Sequence, residues 1–387
     1  MIRLGFLFDR VYGWEQRIAA RYLSEQLPTS RFATSIAGSK SLAHLGPTTL
    51  RRSTRRMIQF PGPRLLAALV GLPGIGTWAR EDQFQIVHTW CVPSAFAASA
   101  ASGGMASSVR HVILELYEPV LSAGERRLLR TLSQGGLLTV VCSTQTIRRR
   151  LIEYGIYPES TVVIRPGVDF GFIQQTRRTG LREELGLAKG DLAVLLPPSS
   201  SSDNDQLDAF VAVSILHFLH GPVRVILPQG LAGRDRIVRF SRTVPRPGSL
   251  IVPGHDVPVE QLISVADVLL VPTHDDGSTT AVAWAMAARM LVVGVASYAL
   301  AELIAHKVNG LLFKHAIGKR MTAPIAGLLR GICHNRDSLA KLQEAARGQA
   351  YEVFSVRRYV DQHARLYENL LSGKEPGDGI SDPAMVG

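Results

Sequence analysis

The stretch Thr161-Val162-Val163-Ile164-Arg165-Pro166-Gly167-Val168-Asp169 is the seam of this sequence: a β-branched apolar run stops at Arg-Pro-Gly, and the same alternation of segments lies on either side. Upstream, short apolar runs at Ile2–Phe8, Phe32–Ala37, Gln85–His88, Val109–Leu114 and Leu137–Cys142 read as strands. Between them lie helical patterns, as in Glu15–Leu27, where Ile18, Ala19, Tyr22, Leu23 and Leu27 share one face. Ser143 offers an N-cap to the helix that follows its strand. Downstream, a polar stretch Gln174–Gly180 reads as a linker, and a second series begins: Leu192–Leu196, Val223–Leu227, Leu250–Val252, Val268–Val271, Leu291–Val293 and Leu311–Phe313. Strands alternating with helices imply parallel sheets covered on both faces, and two series imply two α/β domains. The expected division is 1–170 with a closing helix over 355–372, then 171–354, then a disordered tail 373–387 rich in Gly, Pro and Asp.

Composition agrees with two ordinary cores: 387 residues, 46% of them hydrophobic. No run approaches the ~20 apolar residues of a membrane span, and Ile2–Phe8 opens without a leader pattern, so a cytoplasmic protein is expected. Cys91, Cys142 and Cys333 are too few and too scattered for a disulfide framework or a zinc cluster. The net charge of +11 is uneven, because residues 1–170 hold 20 Lys and Arg against 11 Asp and Glu. Arginines cluster at 51, 52, 55 and 56, at 126, 127 and 130, and at 148–150, and such clusters attract anions. Beside the first cluster, apolar Leu65–Leu72 either packs as a core helix or rests on the acidic inner face of a membrane. Nucleic acid is not an expected partner, since no aromatic residues interleave the arginines.

Several segments then fall in a telling order: Val140-Val141-Cys142-Ser143; Arg165-Pro166-Gly167-Val168-Asp169; Val252-Pro253-Gly254-His255; Ala266-Asp267-Val268; Val271-Pro272-Thr273; Asp275-Asp276-Gly277; Ala283-Trp284-Ala285-Met286-Ala287; Glu302-Leu303-Ile304; Asn309-Gly310-Leu311-Leu312-Phe313; and Phe354-Ser355 through Tyr367. Each is common alone; together they resemble the group 1, family 4-like glycosyltransferases over almost the whole chain. The resemblance implies the GT-B fold, two Rossmann-like domains facing across a cleft, with a last helix returning to the first domain. It implies retaining transfer of a sugar from a nucleotide-diphosphate donor to a glycan or lipid-linked acceptor, without a metal or other cofactor.

The same resemblance suggests the site. Asp276 falls where an acidic residue meets the sugar, and Gly277, Ser278, Thr279 and Thr280 open a helix whose amides favour the diphosphate. The family's Arg and Lys after the first strand of the second domain are missing from Pro197–Asp205, where Ser199 and Ser200 offer only hydroxyls. A unit charge at ~4 Å is worth about 4 kcal/mol at an effective dielectric near 20, so a replacement is needed, and Arg234, Arg236 and Arg165 are the candidates. Trp284 stands in place of a ribose-binding glutamate and reads as core filling. On the acceptor side the candidates are Tyr12, Gly13 and Trp14 after the first strand, His88 at a strand end, and Glu118, in a stretch Glu115–Glu118 that lacks the family's usual histidine. These departures also motivate an alternative: an inactive protein of this fold, a partner or scaffold of an active glycosyltransferase.

Overall fold

The computed structural model describes the chain except residues 9–12, 39–53, 58–71, 104–107, 119–120, 177, 199–202, 222, 232, 245–247, 275, 316–318, 336–338 and 383–387. It divides into two compact units, Met1–Gly167 with Val356–Pro383, and Val168–Ser355. The chain therefore changes unit at Gly167, earlier than the polar stretch expected to be the linker. Gln174–Thr176 belong instead to a helix, Phe170–Thr176, whose start is capped by the Asp169 carboxylate accepting from Phe172 N at 3.0 Å. Gly167 is required at the seam, because a Cβ there would sit 2.9 Å from Cβ of Tyr359. Val168 N donates to Phe354 O at 2.6 Å, tying the outgoing strand of chain to the returning one.

The first unit is a seven-stranded parallel sheet in the order β3-β2-β1-β4-β5-β6-β7. Its strands are β1 Ile2–Leu7, β2 Phe32–Gly38, β3 Thr54–Met57, β4 Ile86–Thr89, β5 His111–Leu116, β6 Leu138–Cys142 and β7 Thr161–Val163. Helices α1 Trp14–Gln26, α2 Leu72–Asp82, α3 Val92–Ser102, α4 Ala123–Gln134 and α5 Gln145–Glu153 connect them. β3 was not expected: Arg55 and Arg56 read as a charged cluster, yet they lie on a strand at the edge of the sheet. The apolar run 65–72 lies outside the described residues except Leu72, which opens α2.

The second unit contains α6 Phe170–Thr176, α7 Leu181–Glu184, β8 Leu192–Leu195, α8 Asp203–His220, β9 Val223–Ile226, α9 Arg234–Ser241, β10 Leu250–Ile251, α10 Val259–Val265, β11 Val268–Val271, α11 Thr279–Ala287, β12 Leu291–Val295, α12 Tyr298–Leu303, β13 Leu311–Phe313, α13 Thr322–His334 and α14 Leu339–Val353. Six parallel strands run in the order β10-β9-β8-β11-β12-β13. Gly294 lets α12 lie close on β12, since a Cβ there would meet Leu300 Cδ2 at 2.4 Å and Val271 O at 2.8 Å. The final helix, α15 Val356–Ser372, belongs to the first unit and packs on α1.

The tail is not disordered through residue 382. Asp378 and Ile380 close turns on Glu375 and Gly377, and side chains of α15 hold the segment by its carbonyls. Glycine content suggested a loose tail, but polar side chains 9 to 23 residues upstream donate to its carbonyls.

Candidate functional site

In a parallel sheet of this kind ligands lodge beyond the carboxyl ends of the strands, where the strand order reverses. In the second unit the reversal lies between β8 and β11. The loop after β11 is the one singled out by sequence. Asp276 (φ 55°) and Ser278 (φ 65°) both sit in the left-handed region that non-glycine residues avoid, with Gly277 between them. That strained turn brings the chain abruptly into α11. The first intrahelical bond, Val282 N to Ser278 O, leaves the amides of Thr279, Thr280 and Ala281 ahead of it. The hydroxyls of Ser278 and Thr280 are enclosed at this end and have no hydrogen-bond partner. Unpaired buried hydroxyls cost roughly 1–3 kcal/mol each unless a partner is supplied.

Asp276 is only 2% exposed, and its Oδ1 accepts from Ala299 N at 3.0 Å. It therefore caps α12 together with Ser297, whose Oγ accepts from Leu300 N at 3.2 Å. Trp284 is fully enclosed and meets Phe172 edge-to-face at 6.1 Å, as core filling requires.

The loop after β9 leads into a helix whose first turn carries two arginines, Arg234 and Arg236. Gly230 comes within reach of Pro198 O, so this loop flanks the one after β8. Arg236 Nη1 donates to Asn204 Oδ1 at 2.8 Å, crossing to the first turn of α8. Arg234 opens α9 after Gly233 in the left-handed conformation, and its Nε is shielded and unpartnered. β9 and β11 flank β8, so their ends lie two strand spacings apart, about 10 Å. Ser199 and Ser200 lie outside the described residues. Two further groups on this sheet edge escaped sequence reasoning: Gln206 in α8, buried with neither amide atom partnered, and His274, whose unpartnered Nε2 belongs to a ring stacked near His315. A lone Gln in a helix and a lone His in a loop carry no pattern that sequence could have signalled.

In the first unit the strand order reverses between β1 and β4. Of the acceptor-side candidates, Gly13 and Glu118 are exposed at this edge, and Tyr12 lies outside the described residues. Trp14 and His88 differ from expectation: both are buried. His88 Nε2 lies 3.2 Å from Glu115 Oε2 and its Nδ1 2.9 Å from Tyr367 Oη, so it is part of the core and does not face an acceptor. Glu115 is the centre of that cluster. It accepts from Trp90 Nε1 (2.8 Å), Tyr117 Oη (2.6 Å) and Tyr359 Oη (2.9 Å), while His363 Nε2 stands 3.8 Å away. Burial pushes its carboxyl up, but the histidines and the donated hydrogen bonds outweigh this and hold it at about 2. Burial lowers His363 to about 4 against the pull of Glu115, and its Nδ1–H donates to Tyr359 O at 2.9 Å. His88, Glu115 and His363 bring ligand-type atoms within 4.8 Å of one another. Both carboxylate oxygens are already bonded by Tyr and Trp donors, so the group closes on itself as a clamp between β5 and α15.

Arg165 also departs from expectation. It belongs to the first unit, is 3% exposed, and forks onto Asp382 of the tail. The open groove of the second unit lined by Arg178, Arg182, Asp267 and Arg289 lies at the opposite, amino-terminal edge of the sheet, away from the α11 turn. Among the described residues no helix is long and apolar enough to cross a membrane.

Residues 18–172 match the model of Glycosyltransferase Family 4. No curated protein matches in sequence. Among solved structures, the chain is similar to Anabaena HepE in complex with UDP-glucose, at 17% identity and a TM-score of 0.78, covering 95% of this chain and 100% of that one. It is similar to sucrose-phosphate synthase from Thermosynechococcus elongatus, at 14% identity and a TM-score of 0.76, covering 97% and 100%. UDP-GlcNAc 2-epimerase from Neisseria meningitidis, bound to UDP-GlcNAc, gives 13% identity and a TM-score of 0.61, covering 96% and 100%.

Proposed function

We propose, for a chain whose residues 18–172 match the model of Glycosyltransferase Family 4 and whose fold is similar to that of GT-B glycosyltransferases, that it transfers a sugar from a nucleotide diphosphate to a glycan or lipid-linked acceptor with retention. The observation that carries the reading is the α11 turn: two strained residues, a helix start and the enclosed, unpartnered hydroxyls of Ser278 and Thr280. As the sugar bond breaks, negative charge builds on the departing phosphate, and fixed donors there stabilise it. Arg234 and Arg236, from the loop after β9, replace the missing Arg and Lys. No metal ion takes part in the proposal. Asp276, held as the cap of α12, fixes the turn and directs its carboxylate edge toward the sugar. The nucleotide binds the second unit and the acceptor the exposed edge of the first, at Gly13 and Glu118, with the basic first half drawing an anionic acceptor or an acidic membrane surface at the cytoplasmic face.

The test is turnover. Release of nucleoside diphosphate from a panel of nucleotide sugars, in the presence of lipid and glycan extracts of the native host, is expected for the full chain and lost in Arg234→Ala/Arg236→Ala. Absence of release across the panel sinks the transferase reading. A second reading has its own support, because Asp276 is committed to capping α12 and Trp284 fills the ribose-binding position with core. A non-catalytic partner of an active glycosyltransferase would bind another chain stably and release no diphosphate; co-purification from the native host separates the two.

A further inference from the structure

The amino-terminal edge of the first sheet gathers three arginines around one pocket. Arg3 stands at the start of β1, Arg80 in the last turn of α2, and Arg110 immediately before β5. Together with Gln83, Gln85 and Ser108 they line an open pocket of about 500 Å³. Among the described residues that line it there is no carboxylate, and none of the three guanidinium groups has an ion-pair partner. Asp82, which ends α2 beside them, accepts instead from Ser35 Oγ at 2.8 Å. Like charges gathered in one pocket repel one another and raise its affinity for an anion.

The backbone fixes where these cations stand. Arg3 O accepts from Gln85 N at 3.0 Å, and Arg110 N donates to Gln85 O at 2.8 Å. β1 and β5 flank β4, which sets the stems of Arg3 and Arg110 two strand spacings apart, about 10 Å. Gln83 reaches the pocket from a left-handed backbone (φ 51°), a conformation that a glutamine avoids unless its surroundings hold it there. Its Oε1 accepts from Arg3 Nη1 at 3.3 Å, and Gln85 Oε1 accepts from Arg3 N at 3.1 Å. Both glutamine oxygens are thus engaged within the protein, while their amide N–H groups remain as donors. Arg80 uses only Nε, on Gly76 O at 3.2 Å, and no side-chain bond holds Arg110. The lining is therefore rich in donors and poor in free acceptors. It suits a ligand that accepts at every contact and carries more than one negative charge, as phosphate groups do, and guanidinium forks bind such oxygens in pairs.

We infer that Arg3, Arg80 and Arg110, with the amides of Gln83 and Gln85, form an anion site for a ligand that carries two or more negative charges on phosphate groups, either a soluble molecule or a lipid headgroup. The site lies at the opposite end of the strands from the carboxyl edge, where parallel sheets of this kind hold their substrates, and so is separate from the acceptor edge of the same unit.

The experiment titrates pyrophosphate by calorimetry, at physiological ionic strength, into the full-length protein carrying Arg234→Ala/Arg236→Ala, which removes the arginines proposed for the donor site. Saturable binding is expected, weakened about tenfold or more when Arg80→Gln/Arg110→Gln is added. Both side chains are exposed, so the variant is expected to keep its fold. Arg127→Gln/Arg149→Gln removes the same charge from exposed positions on α4 and α5 and is expected to leave the affinity within about twofold. Citrate, whose charge sits on carboxylates, is expected to bind more weakly than pyrophosphate; equal affinity would overturn the assignment to phosphate. Phosphatidylcholine vesicles doped with phosphatidic acid distinguish the sources: capture that is lost in Arg80→Gln/Arg110→Gln assigns a headgroup, and pyrophosphate binding without capture assigns a soluble ligand. Absence of pyrophosphate binding, or an equal loss from the two pairs of substitutions, overturns the inference. A second unit that binds no nucleotide would leave each of these outcomes unchanged.

Discussion

Two hydroxyls set the terms of the account. Ser278 and Thr280 are enclosed without partners, an arrangement that carries a desolvation cost unless a ligand repays it. Ser278→Ala/Thr280→Ala is therefore expected to leave the melting temperature unchanged or raised, while weakening nucleotide diphosphate binding about tenfold, or ~1.4 kcal/mol. A lowered melting temperature with unaltered binding would place these hydroxyls in the fold and not in the site. Trp284 makes the opposite prediction. As a fully enclosed indole packed against Phe172, it should cost about 3–5 kcal/mol on truncation to alanine, read by denaturant unfolding, with no specific effect on ribose recognition in the folded fraction. At this scale the sequence was informative only where a residue type was out of place. Asp276 and the Gly277–Thr280 helix start were legible from their order along the chain, whereas the burial of His88 and the tail partner of Arg165 depend on contacts with residues more than 200 positions away. No local pattern reports such distant pairings.

Elements show the same division between local and distant causes. β11 and β13 lie at the residues the apolar runs marked, and β8 and β12 differ only at their ends, because each of these parallel strands is a continuous apolar run. β3 was hidden, since Thr54-Arg55-Arg56-Met57 carries charge in place of an apolar signal. α15 gains its position from the buried clamp of Glu115 with Tyr359, His363 and Tyr367, and the clamp makes the first unit sensitive to acid. His363 is held at about 4 in the folded protein against an ordinary 6.5, so the unfolded chain takes up its proton more readily, and stability falls as pH drops from about 6.5 to 4. Glu115, held at about 2 against 4.5, contributes stability that is present above pH 4.5 and lost as pH falls toward 2. Unfolding followed by tryptophan fluorescence should show the first loss, roughly 3 kcal/mol, beginning near pH 6.5. His363→Gln should remove that early limb and keep the later one; an identical acid profile in parent and variant would contradict the assignment.

At the scale of the whole molecule, two parallel sheets in series were legible because each strand-helix alternation is written locally, and the reversal of strand order then dictates where ligands sit. The exact seam was not, because Gly167 is fixed by its approach to Tyr359 on the returning helix and the polar stretch after it folds as α6. In the proposed function, the carboxyl edge of the second sheet holds a diphosphate between the α11 turn and the arginines after β9. Calorimetric titration of the full-length protein with nucleoside diphosphates and their sugar conjugates tests this most directly. Saturable binding of at least one of them, weakened about tenfold or more in both Arg234→Ala and Ser278→Ala/Thr280→Ala, is the predicted result; no heat from any nucleotide, or binding indifferent to both variants, would contradict it.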